Sequence, residues 1–338
     1  MESAPYPEND RVGHVVVAWH DLTLVWGGHN ERYEYWDPSV IYCHQDGIWA
    51  HKTTYGEIPP GVESSAGEVI NDYLYVACGN LSTEFEINDL YSLNLDTWMW
   101  SKLDPEGTKP LKCSKLVSWV SGEKMYLFGG EPNSDNNGKE EGAGYPESLE
   151  FYTSGSGVAN SSNQLVCYDP KENSWSWPSS SGSIPSPRYG HAAFSVTGHF
   201  MDSNSLEKRF RSLAFIFGGE LRRGWPLSDL YFLDMETMKW EEVVGTESSW
   251  PIRRVGHSLT LVSENVALLH GGFHDWYDSW QQYTQDKQLG DCWLLNIEKC
   301  IAVGNAEDIT GLSKETEDLP EALRKAVKNR AQRKYVVT

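Results

Sequence analysis

The chain has 338 residues, 22% charged and 39% hydrophobic, and its 12% aromatics include 15 Trp and 17 Tyr, enough ring surface to bury a core and to exclude general disorder. No run approaches the roughly 18 apolar residues of a membrane helix, and the opening Met1-Glu2-Ser3-Ala4-Pro5 is neither basic nor apolar, so membrane insertion and secretion are not expected. The net charge of −20 is uneven: the last 18 residues hold six basic groups against Glu321, leaving 22 basic and 47 acidic groups elsewhere, a body that repels nucleic acid and anionic membranes.

Taken in chain order, apolar runs end in glycine at Leu24-Val25-Trp26-Gly27-Gly28, Leu74-Tyr75-Val76-Ala77-Cys78-Gly79, Met125-Tyr126-Leu127-Phe128-Gly129-Gly130, Ala214-Phe215-Ile216-Phe217-Gly218-Gly219 and Ala267-Leu268-Leu269-His270-Gly271-Gly272. The last glycines fall 51, 51, 89 and 53 residues apart, which is one period with a single insertion. A tryptophan follows 21 residues after the glycine at Trp49, Trp100 and Trp240, and 45 after it at Trp175. Asn88-Asp89-Leu90-Tyr91, Asn163-Gln164-Leu165-Val166 and Ser228-Asp229-Leu230-Tyr231 open a short strand before three of these tryptophans. Each unit therefore reads as four antiparallel strands whose apolar faces only a neighbouring unit can cover, and the fold class is all-β, a propeller with five recognisable blades. Their starts fall near Arg11, Ser64, Cys113, Ser186 and Arg253, and Trp49, Trp100, Trp175 and Trp240 are expected to be equivalent wedge residues between blades.

The fifth unit keeps Asp291-Cys292-Trp293-Leu294-Leu295 but lacks a tryptophan six residues past Asn296. Residues 131–162, rich in Gly, Ser, Asn and Glu, are expected as a loop inserted in blade 3, and residues 196–212 as a lengthened hairpin. The propeller is placed at residues 1–303 and a C-terminal tail with a basic helix at 304–338, a sixth blade being missing or replaced by that tail. The six cysteines lie far apart with no CxxC pair, and are expected as buried thiols in a cytoplasmic or nuclear protein.

Arg-x-Gly-His recurs as Arg11-Val12-Gly13-His14, Arg188-Tyr189-Gly190-His191 and Arg254-Val255-Gly256-His257, each at the start of a blade's first strand. Two readings are open. The arginines, with Lys115, Arg222 and Arg223 on neighbouring loops, could form a basic lip that grips a carboxylate through paired charge-assisted hydrogen bonds. Alternatively, the repeated Arg and His brace adjacent blades by bonding to backbone carbonyls. No metal site, cofactor or catalytic set is expected, because GxSxG, Walker and HExxH patterns are absent. His274-Asp275-Trp276-Tyr277-Asp278-Ser279-Trp280 is expected as a loop offering a recognition surface.

The glycine doublet with its later Tyr and Trp resembles the kelch repeat over about residues 11 to 302. Within that group, Leu24-Val25-Trp26-Gly27-Gly28, Lys115-Leu116 with Trp119-Val120, the blade 3 insertion, and Ser186-Pro187-Arg188 with His191 resemble the kelch domain-containing substrate receptors of cullin-RING ubiquitin ligases, which grip C-terminal peptide tails. The resemblance implies a peptide or protein ligand, cullin-RING components as partners, and a carboxylate pocket lined by Lys115 and the loops after Gly130 and Gly219. The chain departs from those receptors in carrying Glu131 and Glu220 just after the third and fourth doublets. Kelch propellers also include metal-dependent or sugar-converting enzymes and architectural cytoskeletal binders, which are the competing expectations.

Overall fold

The computed structural model describes residues 2–3, 11–30, 35–81, 85–153, 155, 157–201, 208–223, 225–243, 250–277 and 283–302. The described residues are β structure and connections, apart from a 3-10 turn at Asp135–Gly138 and one helix, Ile297–Ala302. They form two compact units: Met1–Ser180 with Pro185–His191 and Glu220–Arg222, and Ser181–Ile184 with Ala192–Gly219 and Arg223–Thr338. The five blades of the all-β propeller fold are present, three in the first unit and two in the second. The tail of residues 304–338 lies outside the described residues.

Blade 1 runs through Val15–Trp19, Leu22–Trp26, Val40–Gln45 and Ile48–Thr53, and blade 2 through Ala66–Ile70, Tyr73–Asn80, Glu86–Asn94 and Met99–Leu103. Blade 3 is Val117–Ser121, Lys124–Phe128, Leu165–Asp169 and Ser174–Ser176; blade 4 is Ala192–Met201, Lys208–Phe217, Leu230–Asp234 and Lys239–Val243. Within the first unit, Leu24, Trp26, Ile41 and Cys43 of blade 1 pack on Leu74, Val76, Leu93 and Trp100 of blade 2. The opposite face of blade 2, with Ala66, Tyr75 and Ala77, packs on Met125, Leu127, Tyr168 and Trp175 of blade 3. In the second unit the phenylalanines of blade 4 meet Leu259, Ala267 and Leu269 of blade 5. This burial is the main favourable term of the fold.

After three of the four outer-strand tryptophans a glycine seven residues on leads the chain onto the outer strand of the next blade. Gly56, Gly107 and Gly182 follow Trp49, Trp100 and Trp175 at that spacing and sit at φ of 85°, 87° and 81°. Tyr55–Gly56 pairs in parallel with the outer strand of blade 2, Glu106 bridges to Ser174 of blade 3, and Ser181–Gly182 pairs with the outer strand of blade 4. A Cβ on any of the three would run into the carbonyl oxygen of Trp100, Trp175 or Trp240 respectively, so only glycine fits.

Three expectations are modified. Blade 5 has three strands, Ser258–Ser263, Val266–His270 and Cys292–Asn296; where the repeat places a fourth, the helix Ile297–Ala302 buries Ile297, Cys300 and Ile301 in the core of the second unit. The insertion at 131–162 is partly ordered into strands: Glu131–Pro132 pairs with Cys113–Ser114, and Phe151–Thr153 with Ala159–Ser162. Trp49 is only half-buried, whereas Trp100, Trp175 and Trp240 are at most 4% exposed. Trp49 holds the same register as the others, opposite His44 as Trp175 is opposite Tyr168. Trp100 and Trp175 pack on the preceding blade, whereas Trp49 belongs to the first blade of its unit.

Glu68 breaks the apolar pattern of the inner strands, since one period to either side stand Val17 and Trp119. It accepts a hydrogen bond from the Ser118 hydroxyl at 2.9 Å, joining the inner strands of blades 2 and 3. Burial pushes its carboxyl up to about 7, against the pull of Ser118. The folded value therefore exceeds the unfolded value of about 4.3, so the folded state keeps the proton longer and stability falls as pH rises from about 4.3 through 7. Glu68→Gln is expected to remove that fall and to gain about 2 kcal/mol over the native chain at pH 8, a figure reduced for the partial exposure of Glu68. Urea midpoints of both chains at pH 4.5 and 8 check it; parallel shifts would show that Glu68 titrates normally.

Candidate functional site

At one end of each blade the chain enters the first strand through a residue in the left-handed region: Gly13, Ser64, Lys115, Gly190 and Gly256, at φ of 68°, 55°, 56°, 62° and 65°. In the first unit these positions are strung together by backbone hydrogen bonds. Ser64 N donates to Gly13 O (2.7 Å), Lys115 N to Ser64 O (3.0 Å), and Gly190 N to Lys115 O (2.8 Å). Lys115 thus occupies the glycine position of Arg-x-Gly-His, and its side chain leaves the backbone where blades 1, 4 and 5 have no side chain. The preceding residue of each blade pairs with the residue after its doublet: Val12 with His29, Glu63 with Asn80, Ser114 with Glu131, Tyr189 with Glu220 and Val255 with Phe273.

These pairs make the mouth of the first unit predominantly acidic. The exposed Lys115 ammonium stands 2.5 Å from Glu131 and 5.2 Å from the Tyr189 ring centroid. Burial raises the Glu86 carboxyl above its ordinary value, with the charge of Glu131 adding to the shift while Lys115 and Asn133 oppose it. His29 pairs with Glu63, and burial together with Glu63 raises the Tyr35 hydroxyl. A cation hemmed by carboxylates and a tyrosine face can exchange its intramolecular carboxylate for one from a ligand at little electrostatic cost.

The remaining basic candidates are distributed differently. Arg188 is fully buried, its Nε donating to Ser186 O at 3.0 Å and Nη2 to Ser186 Oγ at 3.1 Å. It shares the first unit with Lys115, joined to it through the Tyr189 contact, and Arg222, half-buried, follows two residues after Glu220. Arg254 is also fully buried. Its Nη1 and Nη2 each lie 2.8 Å from an oxygen of Asp291, and it donates further to the carbonyls of Gly271 and Ile252. Arg254 and the exposed Arg223 belong to the second unit. Arg11 stacks on blade 1 side chains, 4.1 Å from the Trp36 ring centroid and 4.8 Å from that of Tyr42.

The motif histidines of blades 4 and 5 face inward, whereas His14 is exposed. His257 Nε2 meets Phe217 O at 3.1 Å, and burial followed by the charge of Arg254 lowers its pKa to about 3, so it stays neutral. His191 packs its ring on the edge of Phe128. His274–Tyr277 belong to a strand, Phe273–Tyr277, paired with Tyr283–Gln288, while Asp278, Ser279 and Trp280 lie outside the described residues. Two features escaped the sequence reading. Asp291 as the partner of Arg254 was signalled by the aspartate shared with Asp89-Leu90 and Asp229-Leu230; Lys115 in a glycine position was signalled by its 51-residue offset from Ser64 and, through it, Gly13.

Residues 13–202 match the KLHDC2/KLHL20/DRC7 Kelch-repeats domain. The chain belongs to this kelch-repeat family. It is 29% identical over 303 residues to Kelch domain-containing protein 2 of Bos taurus, covering 86% of this chain and 68% of that protein. To Kelch domain-containing protein 1 of Mus musculus it is 26% identical over 304 residues, covering 85% of this chain and 67% of that one. Host cell factor 2 of Homo sapiens is 30% identical over 271 residues, which is 77% of this chain but 30% of that protein. The solved structure of YjhT superposes with a TM-score of 0.63 at 17% identity over 87% of this chain and 83% of its own, a likeness of fold. Among the described residues of this kelch chain, no helix is long and apolar enough to cross a membrane, and no group of three His, Cys, Asp or Glu is placed to hold a metal.

Proposed function

We propose that this kelch propeller is a protein-interaction module that holds a segment of a partner at the mouth of its first unit, with Lys115 as the anchor. The observation that carries this reading is the backbone of Lys115. A lysine at φ 56°, where three other blades use glycine, carries strain of about 1 kcal/mol that the scaffold does not need, and strain of this kind collects at binding sites. Its ammonium is exposed above Tyr189 and is held by the Glu131 carboxylate. In the working arrangement the ligand's carboxylate replaces Glu131 on Lys115, and Arg222 of the same unit extends the basic lip. Arg188, also of that unit, supports it from within. The resemblance to cullin-RING substrate receptors makes the C-terminal carboxylate of a protein tail the leading ligand, and ligase components the leading partners.

Lys115→Gly is the informative variant, because it restores the residue that other blades use and should leave folding intact. Affinity purification from cell extract with the native chain and with this variant is expected to lose bound partners in the variant. Calorimetry on a captured partner's C-terminal peptide should show about tenfold weaker binding for Lys115→Gly and tighter binding for Glu131→Gln, which leaves Lys115 without its resident carboxylate. Equal affinities across all three chains would remove Lys115 as the anchor, and equal affinities for free-acid and amidated peptides would remove the C-terminal carboxylate.

A further inference from the structure

The blades carry an internal comparison at the position two residues before each left-handed entry: Arg11, Val62, Cys113, Arg188 and Arg254. Opposite the first residue of each doublet, the sheet register places Gln164, Asp229 and Asp291 in blades 3 to 5, as the pairs Phe128–Leu165, Phe217–Leu230 and His270–Cys292 require, and Asp89 precedes the paired Leu90 in blade 2, where the register shifts. In blade 5 the two positions meet. Asp291 takes both Arg254 nitrogens and, at 2.6 Å, the indole N–H of Trp293. In blade 3 they also meet, as Gln164 Nε2 donates to Cys113 Sγ at 3.0 Å and to Gly129 O at 2.9 Å. Blade 2 has no arginine there, and its Asp89 turns to Lys102 at 2.9 Å.

Blade 1 has the arginine without the acid. Continuing the register Val25–Tyr42 puts Val40 opposite Gly27, where blade 5 has Asp291 opposite Gly271. Arg11 instead lies over Trp36 and beside Tyr42, and among the described residues its Nε and Nη2 are buried with no acceptor, as is the indole nitrogen of Trp36. Buried donors without acceptors are costly, and a guanidinium with an indole N–H is the donor set that blade 5 uses to hold one carboxylate. Arg11, Trp36 and Tyr42 are as residues only half-buried, so these covered donors lie beside surface that a partner can approach.

We infer that Arg11, Trp36 and Tyr42 form a second binding site, separate from Lys115, for a carboxylate supplied by a partner, either an Asp or Glu side chain or a chain end. The aromatic walls hold the guanidinium in place and partly dry, which strengthens its pairing with an incoming anion.

The test uses the full chain labelled with ¹⁵N-arginine at low salt, following the Arg11 Nε–H resonance, which is assigned by its loss in Arg11→Lys. Three probes are titrated: acetyl-Gly-Glu-Gly-amide, acetyl-Gly-Gly-Gly free acid and acetyl-Gly-Gln-Gly-amide. A saturable shift with either acidic probe, absent with the glutamine probe, is expected, and which acidic probe acts identifies the carboxylate source. Val40→Asp, supplying the missing acid from within, should shift the resonance by itself and weaken the acidic probe at least tenfold. Should that variant not fold, Arg11→Gln, read through the Trp36 indole N–H resonance in uniformly ¹⁵N-labelled chain, should show the same tenfold loss. No saturable shift with either acid, an equal shift with glutamine, or undiminished binding in the variant that folds would overturn the site.

Discussion

Trp100→Ala is expected to lower the stability of the chain by about 3 to 5 kcal/mol, while Trp49→Ala costs less than about 1.5 kcal/mol, although the two tryptophans hold the same place in the repeat. The Trp100 indole is 1% exposed, its ring centroid lies 5.4 Å from that of Trp26, and its N–H donates to Thr54 Oγ1 at 3.0 Å. Removing it leaves a cavity bounded by Leu74, Leu93 and Trp26, and these sit on two sheets held by backbone hydrogen bonds that resist collapse. The Trp49 ring centroid lies 4.7 Å from that of His44 in its own blade and the residue is only half-buried, so truncation there exposes a surface already half wet. Urea unfolding followed by circular dichroism gives both values, and similar losses would mean that the blade 1 face is covered as fully as the junction between blades 1 and 2.

That contrast marks what the sequence could and could not convey. Glycine doublets and tryptophans at a fixed offset announce blades because each is a local requirement, a left-handed turn or a ring filling a wedge, repeated at one period. How deeply Trp49 is buried depends on a neighbouring sheet, and nothing within its own repeat encodes that neighbour. The helix after Asn296 did leave a local trace in the spacing of Ile297, Cys300 and Ile301, which puts three apolar side chains on one helical face. The basic candidates were harder to sort, because Arg11, Arg188 and Arg254 share one motif while their surroundings differ at residues as distant as Val40 and Asp291. A motif fixes where an arginine starts; the strand that faces it decides whether the charge is satisfied inside the fold or left for a ligand.

Asp291→Ala is the sharpest test of that distinction, with an expected loss of about 3 to 5 kcal/mol, because it leaves the Arg254 guanidinium fully buried without its counter-charge. The same substitution frees the Trp293 indole N–H, so its resonance should move as well. Replacing both partners by apolar residues, as in Arg254→Met with Asp291→Leu, should recover most of the loss, since the penalty lies in the orphaned charge rather than in the missing pair. The carboxyl of Asp291 is raised by burial but more strongly lowered by its bonds to Arg254 and Trp293, and the net folded value lies below the ordinary one. Its contribution is therefore complete above the unfolded value of about 3.9 and is lost as pH falls through the lower folded value. The native chain should lose stability over that acid range and Asp291→Ala should not show that part of the loss. Denaturant midpoints between pH 2.5 and 6 decide it: a double variant as unstable as Asp291→Ala, or identical pH profiles, would mean that the pair contributes shape and not charge. Substitutions of Arg254 would then report on packing alone, and a loss of partner binding in such variants would trace to the fold of the second unit, leaving Lys115 and Arg11 as the positions where binding can be tested without disturbing a buried ion pair.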